Sequence, residues 1–471
     1  MNKKSPYLLI ALFLLTAIFS GCKKYLSEVP DARVSPQSVE DYQAMVVNAY
    51  PEAYYLFTEF MTDNFRYYDY TSFNQPSLVS WIKPLYTWSD GYDQNLPIGP
   101  EKAWNSYYNK IYNANVVIEG LSKLPEESDL KRSVLGEAYL IRAYCHFMLV
   151  NIFAKHYDPA TAAADPGVPY QLGTGDAQQE NFPRQSVADV YSKIEADLLK
   201  GADMVNDKLV TEPGYHFQKA SAYAFLSRVK LYEGDWAGCI DASNKALALN
   251  SSVRDLIADY NNYIPNKNEF YNFSLDYGSV TKSNNLLVAQ SATYNGYASS
   301  GFYANEFKQL YLNQDYRGKI FVISSNTSPN WKMLKLSGQQ SSNVVLFSVE
   351  EVLLNQAEAY VRSLKPDYNA AITDLNKILI KRYSPFTALT AAQFSATGTL
   401  SDLLLQRVYT ERRLELAYEG YRWFDIKRLK LPVTHSTGSG TETLSSGDLR
   451  YAIQIPFREL TINKAIVPNP R

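Results

Sequence analysis

FQKASAYAFLSRVKLYEGDWAGCIDASNKALALN, Phe217 to Asn250, reads as two helices folded back on each other. Ala220, Ala224, Leu226, Val229 and Leu231 make one apolar face. EGDW, Glu233 to Trp236, supplies the turn, and Ile240, Ala242, Ala246 and Leu249 make the returning face. Apolar residues recurring at three and four positions are the mark of an amphipathic helix, and a glycine beside an aspartate is turn chemistry.

A small-residue hairpin of about 34 residues resembles one tetratricopeptide unit. Val349 to Arg382 repeats the pattern. Leu353, Ala357, Ala359 and Tyr360 precede a turn at Leu364 to Asp367, and Ala370, Ile372, Leu375 and Ile378 follow it. The two units are too irregular to specify a regular solenoid. Most of the remaining chain also has helical periodicity. Val39 to Tyr50, Glu101 to Leu121 and Leu130 to Phe153 are helices by this criterion. So is Val187 to Met204, with Ser186 as its N-cap. In the second of these, Trp104, Tyr107, Tyr108, Ile111, Tyr112, Asn115 and Ile118 follow one broad face. Two long stretches lack a period. Thr62 to Pro100 and Tyr260 to Leu346 are rich in aromatic and turn-forming residues, with short strand-like runs such as NLLVAQ and KIFVIS. Loops of that length are usually functional or disordered, and the aromatic content argues against disorder.

The chain opens MNKKSPYLLIALFLLTAIFSGC. Lys3 and Lys4, then the apolar run Tyr7 to Phe19, match a signal peptide and are too short for a comfortable membrane span. Ser20, Gly21 and Cys22 resemble a lipobox, in which cleavage before Cys22 is followed by its acylation. A plain secretory signal or a short signal anchor is the alternative. On the first reading, residues 1–21 are removed and 22–471 form one domain tethered to a membrane surface. That domain has an N-terminal part over about 22–250 and a C-terminal part over about 270–471. With 46 basic and 48 acidic side chains the charge is balanced, so nothing points to nucleic acid. Cys145 and Cys239 sit in apolar helical patterns and read as buried free thiols. No zinc spacing occurs, and the four His are scattered, which predicts no metal and no cofactor. Tyrosine is abundant, 38 against 21 Phe, which fits either wet aromatic surfaces or helix packing with hydroxyls at the solvent.

Seven segments, in order along nearly the whole chain, resemble the SusD/RagB family of Bacteroidetes outer-membrane lipoproteins. They are CKKYLSEVP from Cys22, WNSYYNKIYNANVVIEGL from Trp104, GEAYLIRAYCHFMLV from Gly136, and ADPGVPY from Ala164. VEEVLLNQAEAYVRS from Val349, ERRLELAYEGYRWFDIKRL from Glu411 and IPFRELTINKAIVPNP from Ile455 complete the set. The resemblance implies a mostly α-helical, tetratricopeptide-like helix-pair scaffold with long irregular loops and a few short strands. It implies a surface protein that captures glycans, or in some relatives peptides, and passes them to a TonB-dependent outer-membrane transporter of the SusC type. It implies no bond-breaking step.

A sugar presents apolar C–H faces and a rim of hydroxyls, so its site needs aromatic platforms edged by amide, carboxylate or Arg groups. Tyr67, Tyr68, Tyr70, Phe73, Trp81, Trp88 and Tyr92 are the first set of platforms. Asn64, Asn74, Gln75, Asp90, Asp93 and Asn95 are their polar rim. Tyr294, Tyr297, Phe302, Tyr303 and Trp331 form a second set, near Gly296 and Gly301. Rings packed under a long loop would give the same composition. Against the glycan reading stand a peptide or other nutrient as ligand, a glycoside hydrolase, and a helical scaffold that binds only proteins. A hydrolase needs two carboxyls about 5 to 9 Å apart, a condition that some pair among 48 acids meets by chance. No nucleophile elbow, phosphate loop or metal-binding helix supports it. Glu137 and Arg142, five apart, fall on different helix faces and read as scaffold rather than as an acid–base pair. Lys23 and Lys24, with Glu28 the first acid, leave the export address after Cys22 indistinct.

The densest charge cluster is ERRLELAYEGYRWFDIKRL. Spacings of three and four among Arg412, Glu415 and Glu419 predict cross-turn ion pairs. Leu414, Tyr418 and Tyr421 predict an apolar strip. Gly420 predicts a helix end or bend, followed by a short helix carrying Arg422, Asp425 and Arg428. The segment reads as a helix junction rather than as an active site.

Overall fold

Side-chain caps define where the helices begin. Ser38, Ser128, Ser186, Asp235, Ser348, Asp367 and Thr399 each accept a hydrogen bond from a first-turn amide. A cap of this kind is worth about 1 kcal/mol. Besides the short helices Leu256–Tyr263, Asn305–Lys308 and Tyr316–Ile320, the helices are α1 (Val39–Val46), α2 (Pro100–Lys123), α3 (Asp129–Phe153), α4 (Val187–Met204), α5 (Lys219–Glu233) and α6 (Trp236–Leu249). They continue with α7 (Val349–Arg362), α8 (Tyr368–Leu379), α9 (Leu400–Glu415), α10 (Arg422–Arg428) and α11 (Phe457–Ile462). The structure, a computed structural model, describes residues 36–66, 82–91, 98–175, 181–263, 277–291, 302–324, 331–333, 335, 342–394, 398–437 and 440–471. The expected signal peptide and Cys22 lie outside these residues. No helix among the described residues is long and apolar enough to cross a membrane.

Sequence neighbours pack as pairs: α2 on α3, α3 on α4, α5 on α6, and α7 on α8, with α7 also meeting α5, α6 and α9. The fold is therefore the mostly helical, helix-pair scaffold. α3 is central, buried almost all round from Gly136 to Phe153, as a helix apolar on every side must be. Gly136 lets α4 approach it closely, since a Cβ there would lie 2.7 Å from Val205 N. The returning face of the 217–250 hairpin is shorter than its pattern: Cys239, Ala242, Ser243 and Ala246 are buried, but Leu249 is 52% exposed. Cys145 and Cys239 are free and buried.

Three small antiparallel sheets complete the described residues. β2 (Asn285–Ser291) pairs with β6 (Ser342–Ser348). β1 (Phe65–Arg66), β3 (Phe302–Tyr303), β5 (Trp331–Met333) and β4 (Val322–Ser324) form one sheet in that order. β7 (Val433–Thr437) pairs with β8 (Gly440–Leu444). The run KIFVIS splits, because Lys319 and Ile320 end a short helix and only Val322 to Ser324 pair.

The Glu411–Leu429 segment forms the predicted junction. α9 ends at Glu415, Tyr418 (φ 70°) and Gly420 (φ 77°) make the turn, and α10 begins at Arg422. The predicted cross-turn pairs are replaced by longer-range ones. Arg412 pairs with Asp425 at 3.1 Å and Glu351 at 3.4 Å, and donates to Asn355 Oδ1 at 2.6 Å. Glu415 pairs with Arg382 at 2.7 Å and Arg317 at 3.2 Å, and Glu419 with Lys335 at 2.8 Å. The reason is burial: a charge removed from water needs several close partners, which one helix face cannot supply. Burial alone would raise the Glu415 pKa, but the Arg382 and Arg317 guanidiniums hold it at about 2. Glu137 and Arg142 are likewise unpaired with each other. Glu137 accepts from Tyr50 OH at 2.6 Å and meets His216, while Arg142 is bidentate to Asp197.

Candidate functional site

The four-stranded sheet joins described residues at the edges of the two aromatic regions. Phe65 is the register partner of Tyr303, and Arg66 that of Phe302. Tyr303 in turn partners Trp331. Asn64 O accepts from Ala304 N at 2.9 Å. Arg66, the last described residue before the first region, is thus paired with Phe302, the first described residue after Ser291. Tyr67, Tyr68, Tyr70, Phe73, Asn74, Gln75, Trp81, Tyr92, Asp93 and Asn95 lie outside the described residues, as do Tyr294, Gly296, Tyr297 and Gly301. For Trp331 the backbone position is described.

Just before β1 in the chain lies a partly buried polar cluster. Arg413 Nε donates to Asn64 Oδ1 at 2.7 Å, and Arg422 is bidentate to Asp63 at 2.9 and 2.8 Å. Burial would raise the Asp63 pKa, but Arg422 and Arg413 overcome it and lower it. Glu59 is fully buried with Oε2 unpartnered, and burial lifts its pKa to about 7 despite bonds from Asn64, Gly420 and Tyr418. Phe65 packs edge-on to Phe60 and Tyr86, with centroids 5.0 and 6.0 Å apart.

Three predicted ligand residues make structural contacts. Trp88 is 4% exposed, donates from Nε1 to Met61 O at 3.0 Å, and stacks on His435 at 4.4 Å. A ring covered on that face and tied by its N–H is not an open platform. Asp90 is bidentate to Arg471 at 2.7 and 2.8 Å, and Asn64 is fully buried rather than on a rim.

A cleft of about 410 Å³ opens elsewhere, between α2, the 169–175 segment and α11. Trp104, Tyr108 and Tyr112 form its aromatic wall; Asn105, Gln171, Asn181 and Glu459 supply polar groups. Tyr112 is 49% exposed, which departs from its place on the broad apolar face of the sequence pattern. The signal that would have revealed the cleft is the stripe Asn105, Tyr108, Tyr112, at spacings of three and four beside the apolar one. Glu459 is the one carboxylate among the described lining residues. A larger cleft of about 650 Å³ is lined by Lys155, His156, Asp158, Trp236, Arg362 and Lys430, among others. Its charges are largely consumed in pairs, such as Lys155 with Asp165 and Arg362 with Glu358. Burial and the neighbouring cations, Lys427 foremost, hold the His156 imidazole neutral, with its pKa down at about 3.

Two family models match the chain. One, described as starch-binding and associating with the outer membrane, matches residues 24–231. The other, described as the SusD family, matches residues 210–470, more than half of the chain. A SusD-like protein P2 of Formosa agariphila is 24% identical over 419 residues, covering 78% of this chain and 79% of that protein. A solved SusD superfamily protein of Bacteroides thetaiotaomicron superposes with a TM-score of 0.73 at 19% identity, covering 92% of this chain and 100% of that one. A solved SusD-like carbohydrate binding protein of Bacteroides vulgatus superposes with a TM-score of 0.68 at 17% identity, covering 92% and 98%.

Proposed function

The chain belongs to the SusD family, and from that premise we propose that it is a glycan-capturing protein whose binding face is built on the β1–β3–β5–β4 sheet. The observation that carries the reading is the pairing of Phe65 with Tyr303 and of Tyr303 with Trp331. It gives two aromatic-rich segments, distant in sequence, a common root. Tyr67, Tyr68, Tyr70, Phe73, Asn74, Trp81 and Tyr92 on one segment, and Tyr294, Tyr297 and Trp331 on the other, are the proposed ligand residues. Stacking rings edged by amides suit a sugar face with its rim of hydroxyls.

On this reading the protein acts without catalysis. The α2 cleft offers Glu459 as its single described carboxylate, whereas glycoside hydrolysis uses a pair. The protein is anchored in the outer membrane through acylated Cys22, facing outward, and hands its glycan to a TonB-dependent transporter. The family model that describes starch-binding proteins associating with the outer membrane supports that placement.

The test is retention of the parent and of Trp81→Ala and Trp331→Ala on a panel of polysaccharides. Loss of retention in at least one variant, with the fold intact, supports the reading. Unchanged retention by both, on every polysaccharide that the parent binds, sinks the aromatic platform at those positions. Copurification of a large β-barrel transporter tests the partner.

A further inference from the structure

His435, on β7, lies sandwiched between Tyr86 and Trp88. The ring centroids are 3.9 and 4.4 Å away, with the planes inclined by only 4° and 17°. Its Nδ1 is 2.6 Å from Tyr86 O, and its Nε2 is 2.9 Å from Thr62 O. A carbonyl oxygen only accepts, so each contact needs a hydrogen on the ring nitrogen. A neutral imidazole carries one N–H and an imidazolium carries two. Both contacts can therefore exist together only when the ring is protonated.

His146 shows the opposite arrangement within the same chain. Its Nδ1 faces Arg142 O at 2.9 Å, but its Nε2 accepts from Gln171 N at 3.0 Å. One donor and one acceptor suit a neutral ring, and burial keeps it neutral, with its pKa down at about 3. At His435 burial is the larger effect and lowers the pKa, so the ring takes its second proton only on the acid side of the ordinary histidine range; the Tyr86 and Thr62 carbonyls and the charge of Asp63 oppose burial in part. Around it stand Asp63 beside Thr62, the uncharged faces of Tyr86 and Trp88, and Glu442, its register partner on β8; the Arg450 guanidinium lies 5.9 Å from the Trp88 ring.

Thr62 and Tyr86 flank the footing of β1. Phe65 N donates to Thr62 O at 3.2 Å, and the Phe65 ring packs on Tyr86. We propose that His435 is a protonation-dependent clamp: as an imidazolium it ties the Thr62 and Tyr86 carbonyls together beneath β1, and on losing its proton it lets one of them go. The clamp stands on its own geometry. Its consequence rests on the proposed glycan face: releasing one carbonyl loosens β1 and weakens capture as pH rises.

The experiment is an NMR titration of the full mature chain with ¹⁵N-labelled histidine and ¹³C-carbonyl-labelled threonine and tyrosine. At the acid end both His435 nitrogens should show imidazolium shifts. As pH rises, the Thr62 or Tyr86 carbonyl resonance should move with the same midpoint as the ring. Two carbonyls that stay still while His435 titrates overturn the clamp. In parallel, retention of the parent on the polysaccharide panel should fall several-fold through that midpoint. His435→Gln, whose side-chain amide does not titrate, should give a flat profile. A flat parent profile alongside a moving carbonyl overturns the coupling to capture. If no polysaccharide is retained at any pH, the glycan reading fails, and the carbonyl titration still decides the clamp.

Discussion

Arg413 donates from Nε to Asn64 Oδ1 at 2.7 Å, across 349 positions of chain. Arg413 belongs to the segment that most clearly marks the family, and Asn64 immediately precedes β1. The charge-rich junction therefore does more than close the core: it carries the root of the sheet on which the proposed binding face stands. Arg422 reinforces it through Asp63.

Arg413→Ala should remove the Asn64 bond and one partner of Asp63 while leaving the Arg422 pair. A partly buried charge-assisted bond of this kind is worth about 1 to 3 kcal/mol. The expected result is a lower melting temperature with unchanged helical circular dichroism, and a larger loss of glycan retention than the stability change explains. Arg413→Lys keeps the charge near Asp63 but lacks the fork that reaches Asn64, so it should recover only part of the loss. Wild-type retention in both variants would detach the junction from binding.

Glu59 and Glu415 should affect acid stability with opposite signs. The folded Glu59 pKa is raised by burial to about 7, so its contribution is full below the unfolded value and is lost as pH rises through 7. Glu415 is held at about 2 by Arg382 and Arg317 against burial, so its contribution is present above the unfolded value and is lost as pH falls. Glu59→Gln mimics the neutral acid. It should match the parent near pH 4 and exceed its stability at pH 8 by on the order of 3 kcal/mol. Denaturant melts of both proteins at each pH measure this, and an equal difference at the two pH values would contradict it.

Gly420→Ala probes the junction's backbone. The residue has φ 77°, and a Cβ there would lie 2.8 Å from Tyr55 Cδ2. Strain and the clash with a buried ring together predict a loss of about 2 kcal/mol or more. The cost should appear in global unfolding, because Tyr55 is itself bonded to Tyr421 OH at 2.9 Å.

Helix placement was legible because capping and apolar period act locally. Ser186 starts α4 where its hydroxyl predicts, and Gly420 bends the chain where its freedom predicts. Partner choice was not legible. Arg412, Glu415 and Glu419 have the spacing of a solvated helix face, and only tertiary burial shows that Asp425, Arg382 and Lys335 hold them. The site was half legible. Composition singled out both aromatic segments, but their common root depends on register between residues as distant as Phe65 and Tyr303. Trp88 shows the limit of composition, since a tryptophan in a loop reads the same whether its face is open or stacked on His435.

Trp88→Ala and Trp331→Ala should therefore differ in kind. Removing the Trp88 indole empties a space between His435 and the Met61 carbonyl that the surrounding chain cannot fill. Loss of a buried tryptophan costs about 3 to 5 kcal/mol, so this variant should fail first in stability, with weaker binding as a consequence. Trp331 partners Tyr303 and Ser324 through its backbone, contacts that an alanine retains. If its ring serves the glycan, Trp331→Ala should melt within about 1 kcal/mol of the parent yet lose retention. Thermal melts alongside the polysaccharide panel separate the two. A Trp331→Ala protein that is destabilised as strongly as Trp88→Ala, with binding lost only in proportion, would move Trp331 from the binding face into the packing.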